Sequence, residues 1–286
     1  MDSIWINAPA KINLALDVIG CRPDGYHDVR MIMQSIRLFD RLTIEKNDDH
    51  NISLRTNLEF LPSDENNLVY CAAKLLIDEF SLPGVSIELS KRIPVAAGMA
   101  GGSTDAASCL LAINELFELG LTNEELMKRG VTLGADIPYC ILKGTALSEG
   151  IGDILTPLTP APGCYLLVAK PNIHVSTKYV YTNLVLNEKT IHPDIDGMMG
   201  AISDGNLDDM CGFMSNVLED VTIKKHPEIR TIKETMLKHG AKGSLMSGSG
   251  PTVFGVFDDK DAAENAKDAC KLLPFRCFVY LTDFYR

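Results

Sequence analysis

The segment PVAAGMAGGSTDAAS, from Pro94 to Ser108, limits the possible folds more than any other part of the chain, because it packs three glycines and five alanines into fifteen residues. The alternating segment GVSIELS before it predicts a strand, and the apolar residues after it recur at helical spacing. A helix that begins in this way presents unpaired N–H groups and the positive end of its dipole. Such a helix start stabilises an anion without a side-chain cation.

We call residues 94–104 the glycine loop and predict that it binds the phosphates of a nucleotide. Glycines allow the backbone to approach phosphate oxygens closely, and Ser103 or Thr104 can cap the helix or reach a phosphate oxygen or Mg²⁺. The loop lacks the lysine of the G-x-x-x-x-G-K-[ST] motif, so a cation must come from another segment. The alternative is a tight strand-to-helix turn whose small residues serve close packing.

Charge and cysteine content exclude several classes of protein. A formal net charge of −11 argues against broad binding to nucleic acids or anionic membranes. The eight cysteines form no C-x-x-C pair, and we expect them to be buried small hydrophobic residues in a reducing compartment. No apolar run approaches the roughly 18 residues of a membrane span, and the N-terminus has no basic targeting segment. We therefore expect a cytoplasmic protein.

Periodicity predicts an α+β fold in two domains. KINLALDVIG alternates as a strand with one buried face, and TNEELMKRG begins with a capping box from Thr122 to Glu125. The segment TPAPGC (159–164) separates an N-terminal domain, 1–160, from a C-terminal domain, 161–286. Helices are predicted over 66–80, 103–119, 176–185, 206–218, 226–239 and 260–272. In the second half, strands are predicted near 165–169, 252–257 and 276–283.

Phosphoryl transfer requires a cation and a carboxylate in addition to the phosphate loop. Lys11 lies in the apolar stretch APAKINLALD, where a solvated lysine is unusual, although a lysine at a strand edge remains possible. Asp136, in LGADIPYC, lies between small and apolar residues just before a proline, which suggests a buried turn. A nearby lysine would keep it ionised and able to accept a proton. The alternative for Asp136 is a carboxylate that caps the turn through its own backbone.

A third glycine-rich segment, GSLMSGSGPTVFGVF (243–257), comes immediately before an apolar strand pattern. Alone, it is compatible with an ordinary turn. A serine-hydrolase nucleophile elbow would need a strand before the serine and a helix after it, and the order here is the reverse.

The order of three motifs, PAKINL, PVAAGMAGGSTDAA and GSLMSGSGPTVFGVF, resembles the superfamily of galactokinase, homoserine kinase, mevalonate kinase and phosphomevalonate kinase. More narrowly, APAKINLALDVIGCRPDGYHDVRMIMQSI and GADIPYCILKGTALSEGIGD resemble the members that phosphorylate a cytidyl-diphosphate sugar alcohol in non-mevalonate isoprenoid synthesis. The resemblance covers essentially the whole chain. The run RPDGYH is highly specific, whereas the glycine loop is specific only to the superfamily.

The resemblance implies a fold and a set of site residues. The N-terminal domain would be like ribosomal protein S5 domain 2 and the C-terminal domain ferredoxin-like, with the active site in the cleft between them. ATP and Mg²⁺ would be required, with Lys11 and Asp136 in the catalytic positions. Asn13, Tyr26, His27 and Tyr181 would bind the substrate, with Tyr179 as a competitor of Tyr181 for stacking on the cytosine. The ATP-binding residues would be Pro94, Val95, Ala96, Ala97, Gly98, Met99, Ala100, Gly101, Gly102, Ser103 and Thr104.

The glycine loop departs from the family pattern in two places, since members commonly have GLGGGSS where this chain has GMAGGST. We expect a negative φ at Ala100, because alanine disfavours positive values, and we expect Thr104 to keep the hydroxyl function.

Two rival hypotheses remain. One is another enzyme of the superfamily, such as a homoserine or mevalonate kinase or a diphosphomevalonate decarboxylase, and the other is a non-catalytic ligand-binding protein. RPDGYH and GADIPY count against the first, and the presence of Lys11, Asp136 and the loop against the second.

Overall fold

The computed structural model describes residues 2–23, 25–49 and 51–285. Within them the chain mixes helices and strands, and the strands form one sheet of seven and one of four. The strands are β1 (Ser3–Cys21), β2 (His27–Asn47), β3 (Ile52–Thr56), β4 (Gly84–Ser90), β5 (Thr145–Glu149), β6 (Ile154–Pro157), β7 (Tyr165–Pro171), β8 (Ser215–Asn216), β9 (Gly243–Met246), β10 (Val253–Phe257) and β11 (Cys277–Thr282).

The helices lie between these strands, singly or in runs of two or three. They are α1 (Leu68–Phe80), α2 (Gly101–Leu116), α3 (Asn123–Gly130), α4 (Ile137–Leu142), α5 (Thr177–Thr182), α6 (Ile195–Ser203), α7 (Leu207–Gly212), α8 (Glu219–Lys225), α9 (Pro227–Lys238) and α10 (Lys260–Lys271). None of the described helices is both long enough and apolar enough to cross a membrane.

The chain forms two compact units, and β1 and β2 contribute residues to both of them. The first unit comprises Met1–Ala10, Leu38–Val95 and Ala100–Lys143. In this unit β2 pairs antiparallel with β4, and β4 pairs parallel with β3. Helix α2 packs against α1 and α4, and its alanine-rich faces are fully buried.

The second unit comprises Lys11–Arg37, Ala96–Met99 and Gly144–Arg286. There β1 pairs parallel with β8, β2 pairs antiparallel with β5, and β5 pairs with β6. The second sheet is entirely antiparallel, in the order β11-β7-β10-β9, and α9 and α10 pack against it. The buried residues of β7 and β10 form much of the core of this unit.

The structure confirms the strongest periodic patterns and corrects others. The capping box is present, since Thr122 and Glu125 exchange both hydrogen bonds at the start of α3. β1 is buried on both faces from Ala8 to Val18, so the prediction of a single buried face is wrong. The predicted helix over 206–218 is also wrong in extent, because α7 ends at Gly212 and β8 follows it.

Three short helices had no clear periodic signal, namely α4, α6 and α8. The segment GADIPYC looks like a break because it contains a proline, but Pro138 lies in the first turn of α4, where it costs no hydrogen bond. The run RPDGYH contains a Pro-Asp-Gly sequence, which is typical of a turn, and Asp24 lies outside the described residues. Around it, the N–H of Arg22 donates to the Tyr26 carbonyl at 2.7 Å.

All eight cysteines lie in the described part of the chain, and none of them forms a disulfide. Cys109, Cys140, Cys211 and Cys270 are buried as expected. The expectation is wrong for Cys21, which is exposed because β1 has left the core by that residue. It holds only in part for Cys71, Cys164 and Cys277, which are half-buried.

Candidate functional site

Lys11 and Asn13 lie on the same face of β1, because residues two apart in a strand point the same way. The Lys11 ammonium donates a hydrogen bond to Asn13 Oδ1 at 2.8 Å, and Asn13 Nδ2 lies 3.1 Å from Met31 Sδ. Both residues are buried, with Lys11 only 6% exposed. Among the described residues of its unit, Lys11 has no carboxylate partner. A buried cation without a counter-charge is costly, so it favours an anion beside it.

The central residues of the glycine loop contact the third glycine-rich segment in the second unit. Gly98 has φ +74°, and a Cβ at this position would lie 2.4 Å from the Ser247 carbonyl oxygen. Ser247 Oγ donates to the Gly98 carbonyl at 2.9 Å. On the other side, a Cβ at Gly248 would lie 3.6 Å from Asn13 Oδ1. The structure therefore brings parts of all three sequence motifs together in one unit, which an ordinary turn at 247–250 would not require.

Asn216 holds the third segment in place and was not among the predicted site residues. Its Nδ2 donates to the carbonyl oxygens of Met246 and Gly248, both at 2.8 Å, and its Oδ1 accepts the N–H of Leu218 at 3.0 Å. The one signal in the sequence is an asparagine among apolar residues, in FMSNVL. A buried amide in such a stretch is usually fully hydrogen-bonded.

The start of α2 lies in the first unit and differs from the prediction. Ala100 is the N-cap residue with φ 53° and ψ 32°, in the left-handed region, so the expected negative φ at Ala100 is wrong. The Ala100 carbonyl accepts the N–H of Thr104 at 2.8 Å, the first hydrogen bond of the helix. No side chain caps α2, contrary to the expectation for Ser103 or Thr104. The N–H groups of the first turn therefore remain available to an anion.

The hydroxyls of Ser103 and Thr104 have different environments. Thr104 is fully buried, and its Oγ1 donates to the Pro9 carbonyl at 2.8 Å. Ser103 is half-buried, and among the described residues its hydroxyl makes no hydrogen bond. Of the two, Ser103 has the hydroxyl that can contact a ligand in this conformation.

A buried charged cluster lies beside the glycine loop in the first unit, formed by Asp40, Lys91 and Asp105. The Lys91 ammonium donates to Asp40 Oδ2 and, at 2.6 Å, to Asp105 Oδ2. Burial and, to a lesser degree, the Asp40 carboxylate raise the pKa of Asp105 well above its usual range, although Lys91 opposes the shift. Burial alone would lower the pKa of Lys91, but the two carboxylates raise it. Sequence reasoning missed this cluster because its members are far apart in the chain.

Asp136 is half-buried and is the N-cap residue of α4. Its carbonyl accepts the N–H of Cys140 at 3.0 Å, but its carboxylate makes no capping hydrogen bond. Within its unit, and among the described residues, no side chain is hydrogen-bonded to this carboxylate. The alternative that Asp136 serves to cap its own turn is therefore not supported.

The aromatic candidates lie in the second unit. The rings of His27 and Tyr181 have centroids 5.1 Å apart and planes tilted by 49°. Tyr26 precedes β2 and is 59% exposed. Tyr179, the competitor of Tyr181, has its ring covered by the ammonium of Lys225, 3.7 Å from the centroid. One aromatic face near His27 is therefore provided by Tyr181, whereas Tyr179 is engaged with a cation.

Two family models match the chain on either side of the boundary predicted at 159–164. Residues 67–144 match the GHMP kinases N terminal domain, and residues 198–272 match the GHMP kinases C terminal domain. Two curated bacterial relatives are named 4-diphosphocytidyl-2-C-methyl-D-erythritol kinase. The protein from Lachnoclostridium phytofermentans is 59% identical over 286 residues, 100% of this chain and 98% of the relative. The protein from Clostridium perfringens is 52% identical over 278 residues, 97% of this chain and 96% of the relative.

Solved structures agree with these matches. A crystal structure of 4-(cytidine 5'-diphospho)-2C-methyl-D-erythritol kinase aligns with a TM-score of 0.82 at 31% identity, over 99% of this chain and 100% of the other. Homoserine kinase from Cytophaga hutchinsonii aligns with a TM-score of 0.79 at 20% identity, over 99% and 95% of the two chains, which shows a shared fold alone.

The chain therefore belongs to the GHMP kinase family and, within it, to the group of the 4-diphosphocytidyl-2-C-methyl-D-erythritol kinases. Membership of this group makes the protein an ATP-dependent phosphotransferase.

Proposed function

We propose that this protein transfers the γ-phosphoryl group of ATP to the 2-hydroxyl of 4-diphosphocytidyl-2-C-methyl-D-erythritol, in the synthesis of isoprenoid precursors by the non-mevalonate route. The observation that carries the proposal is the pairing of His27 with Tyr181, in a chain whose relatives are named for this substrate. An aromatic ring beside an imidazole suits a nucleobase, since the ring can stack on its face and the imidazole can hydrogen-bond to its edge.

The cytosine site in this proposal consists of Tyr26, His27 and Tyr181. Tyr26 is exposed enough to contact a ligand, and the position of the Tyr181 ring beside His27 supports its role as the stacking ring. Tyr179 is less suited to stacking because Lys225 covers its ring. Asn13 is the further substrate contact, fixed between Lys11 and Met31.

The ATP phosphates bind the glycine loop, residues 94–104, and the first turn of α2. The absence of a side-chain cap on α2 supports this assignment, because the N–H groups of that turn have no other hydrogen-bonding side chain. The helix dipole supplies part of the positive charge that the loop lacks. The buried ammonium of Lys11, without a carboxylate in its own unit, supplies another part.

For the chemical step, Asp136 is the proposed base that accepts the proton of the substrate hydroxyl. Its carboxylate has no hydrogen-bond partner in its unit among the described residues, which suits a proton acceptor. Lys11 is the proposed cation that stabilises the charge on the phosphoryl group as it moves. The proton leaves the hydroxyl as its oxygen forms the new bond to phosphorus, and ADP is the leaving group.

Mg²⁺ is the expected metal of such a kinase, and the donor set fits it. Mg²⁺ in kinases binds mainly phosphate oxygens and water, with only one or two protein oxygens. The Ser103 hydroxyl, unpaired among the described residues at the start of α2, is the proposed protein ligand. When bound, the metal neutralises negative charge on the phosphates.

Several finer assignments belong to the same proposal. The N-terminal domain, 1–160, would be like ribosomal protein S5 domain 2, and the C-terminal domain, 161–286, would be ferredoxin-like. The four-stranded antiparallel sheet with α9 and α10 supports the second assignment. We also propose that the protein acts in the cytoplasm without binding nucleic acid or membranes, as its acidic charge suggests.

The decisive experiment is a coupled ADP-release assay with the cytidyl-diphosphate alcohol, homoserine and mevalonate as parallel acceptors. We expect turnover with the cytidyl compound alone and its loss in Lys11→Met. Phosphate and CO₂ are measured in the same reactions, because their release from a diphosphorylated acid would identify a decarboxylase. Turnover with homoserine or mevalonate instead would overturn the proposal, and ATP binding without turnover of any acceptor would indicate a non-catalytic ligand-binding protein.

A further inference from the structure

The buried cluster of Asp40, Lys91 and Asp105 joins the two ends of the glycine loop. Lys91 and the next two residues follow β4 and lie directly before the loop. Asp105 lies directly after the loop, just past the first turn of α2. Asp40 Oδ1 accepts the N–H of Arg92 at 2.5 Å and the N–H of Ile93 at 2.8 Å. The Lys91 ammonium then connects Asp40 to Asp105. One set of hydrogen bonds therefore holds both the entry and the exit of the loop.

Lys91 is fixed along its whole length. Its N–H donates to Asn57 Oδ1 at 2.8 Å, and its carbonyl accepts from Asn57 Nδ2 at 3.1 Å. Its ammonium lies 3.2 Å from the position that a Cβ would take at Gly101, the first residue of α2. The absence of a side chain at Gly101 therefore lets the ammonium lie directly against the start of the helix.

The cluster is almost completely shielded from water. The side chains of Lys91, Asp40 and Asp105 are 4%, 0% and 3% exposed, respectively. Burying ionisable groups is often less favourable than packing apolar side chains in the same volume, so stability alone is a weak explanation for the cluster. Among the described residues, the second oxygen of Asp105, Oδ1, is buried without a hydrogen-bond partner. One ammonium thus faces two carboxylates beside a helix start that would receive phosphates.

We propose that Asp40, Lys91 and Asp105 are positioning residues for nucleotide binding, which fix the glycine loop at both ends. The inference rests on the proposed function in one respect, namely that this loop binds the phosphates of ATP. Lys91 is committed to two carboxylates, so it acts through the backbone that it holds and not as a direct phosphate ligand. Its loss would free the backbone at both ends of the loop.

The test compares Asp105→Ala with Asp105→Asn by titrating the full chain with ADP and with a non-hydrolysable ATP analogue, in the absence of acceptor. Asparagine keeps an oxygen for Lys91, whereas alanine removes the contact. We expect Asp105→Ala to raise the nucleotide Kd about tenfold, and Asp105→Asn to stay within about twofold of the wild type. KM for the cytidyl alcohol should change by less than about twofold in both variants, because the cluster does not bind that substrate.

Ser108→Ala is the matched control, since Ser108 is buried one turn further along α2 and its hydroxyl has no partner among the described residues. It should leave the nucleotide Kd unchanged. If Asp105→Ala does not fold, Asn57→Ala replaces it, because Asn57 is exposed and holds only the backbone of Lys91. A folded Asp105→Ala or Asn57→Ala variant with the wild-type nucleotide Kd overturns the inference, as does an equal loss in Asp105→Ala and Asp105→Asn.

Failure of the inference is separable from failure of the proposed function. Nucleotide binding is measured without acceptor, so a wrong acceptor leaves this test intact. Conversely, the wild type could phosphorylate the cytidyl alcohol while the Asp105→Ala variant binds nucleotide normally. This result would support the proposed function and exclude the positioning role.

Discussion

The ring centroids of His27 and Tyr181 lie 5.1 Å apart, although His27 is the first residue of β2 and Tyr181 lies in α5. An aromatic ring held against an imidazole is already ordered, so it loses little further conformational freedom when a base stacks on it. Tyr181→Ala should therefore raise KM for the cytidyl alcohol by about 5- to 150-fold, since stacking is worth about 1–3 kcal/mol per base. KM for ATP should not change.

Tyr179→Ala is the matched control for this prediction, because it removes the same side chain from the same helix. Its ring already interacts with Lys225, so its loss should change KM for the cytidyl alcohol by less than about threefold. Steady-state kinetics on both variants check the assignment. Equal effects of the two substitutions, or a larger effect at Tyr179, would move the stacking role away from Tyr181.

Asp136→Asn should lower kcat by at least about 10²-fold, which is the lower range for the loss of a general base. The substitution keeps the size of the side chain and the N-cap backbone of α4, so the nucleotide Kd should stay close to that of the wild type. Asp194→Asn is a suitable control, because Asp194 also precedes a helix but caps α6 through its side chain. Rapid-quench measurement of the chemical step checks the prediction, and near-normal turnover in Asp136→Asn would exclude Asp136 as the base.

The sequence predicted those features that depend on local pattern. The strand pattern of β1 and the capping box at Thr122 are readable without coordinates, and the structure confirms both elements, although β1 is buried on two faces. It did not predict the Asp40–Lys91–Asp105 cluster, because each of these residues has ordinary neighbours in the chain. They come together because β2 pairs with β4 and because Lys91, just after β4, contacts Asp105 of α2, and both are features of the tertiary structure.

The error at Ala100 has a different physical origin. Intrinsic preference disfavours a left-handed alanine by about 1–2 kcal/mol, and this preference was the basis of the expectation. The structure overrides it at this position, where Ala100 is the N-cap residue of α2 with φ 53°. A local penalty of this size is small compared with the burial of the alanine-rich helix that follows.

Gly98→Ala should be much more destabilising than Gly120→Ala. Both glycines have positive φ, +74° and +70°, so the backbone penalty is nearly the same. A Cβ at Gly120 meets nothing within 4 Å, whereas a Cβ at Gly98 would lie 2.4 Å from the Ser247 carbonyl oxygen. The clash should add about 1–3 kcal/mol to the loss of unfolding free energy. Urea unfolding of both variants measures the difference, and equal losses would show that Ser247 moves away freely.

Ala100→Gly should stabilise the protein. Glycine removes the strain of about 1–2 kcal/mol at a left-handed residue, and it costs about 0.4–1 kcal/mol through the greater freedom of the unfolded chain. The net gain in unfolding free energy is then about 0.5–1 kcal/mol. Ala269→Gly, in α10, is the control and should destabilise by up to about 1 kcal/mol, because Ala269 has helical geometry. Two substitutions of the same kind should thus have opposite signs, and a loss at both positions would contradict the argument.

Asp105→Asn should change the pH dependence of stability. The folded-state pKa of Asp105 is raised, chiefly by burial and then by the charge of Asp40, so the folded protein favours the protonated form more than the unfolded chain does. Its contribution to stability is fully present below the unfolded pKa of about 3.9 and is lost as the pH rises through the folded pKa. Each pH unit between these two values costs the wild type about 1.4 kcal/mol relative to a residue that does not ionise.

The advantage of Asp105→Asn over the wild type should therefore grow as the pH rises toward the folded-state pKa of Asp105 and level off above it. Guanidinium unfolding midpoints of both proteins at a series of pH values from about 5 to 9 measure this difference. Asp268→Asn is the control, because Asp268 is exposed in a surface pair with Lys271 and should show almost no such trend. A difference between Asp105→Asn and the wild type that is the same at every pH would mean that Asp105 is ionised throughout this range, with Lys91 outweighing the effect of burial.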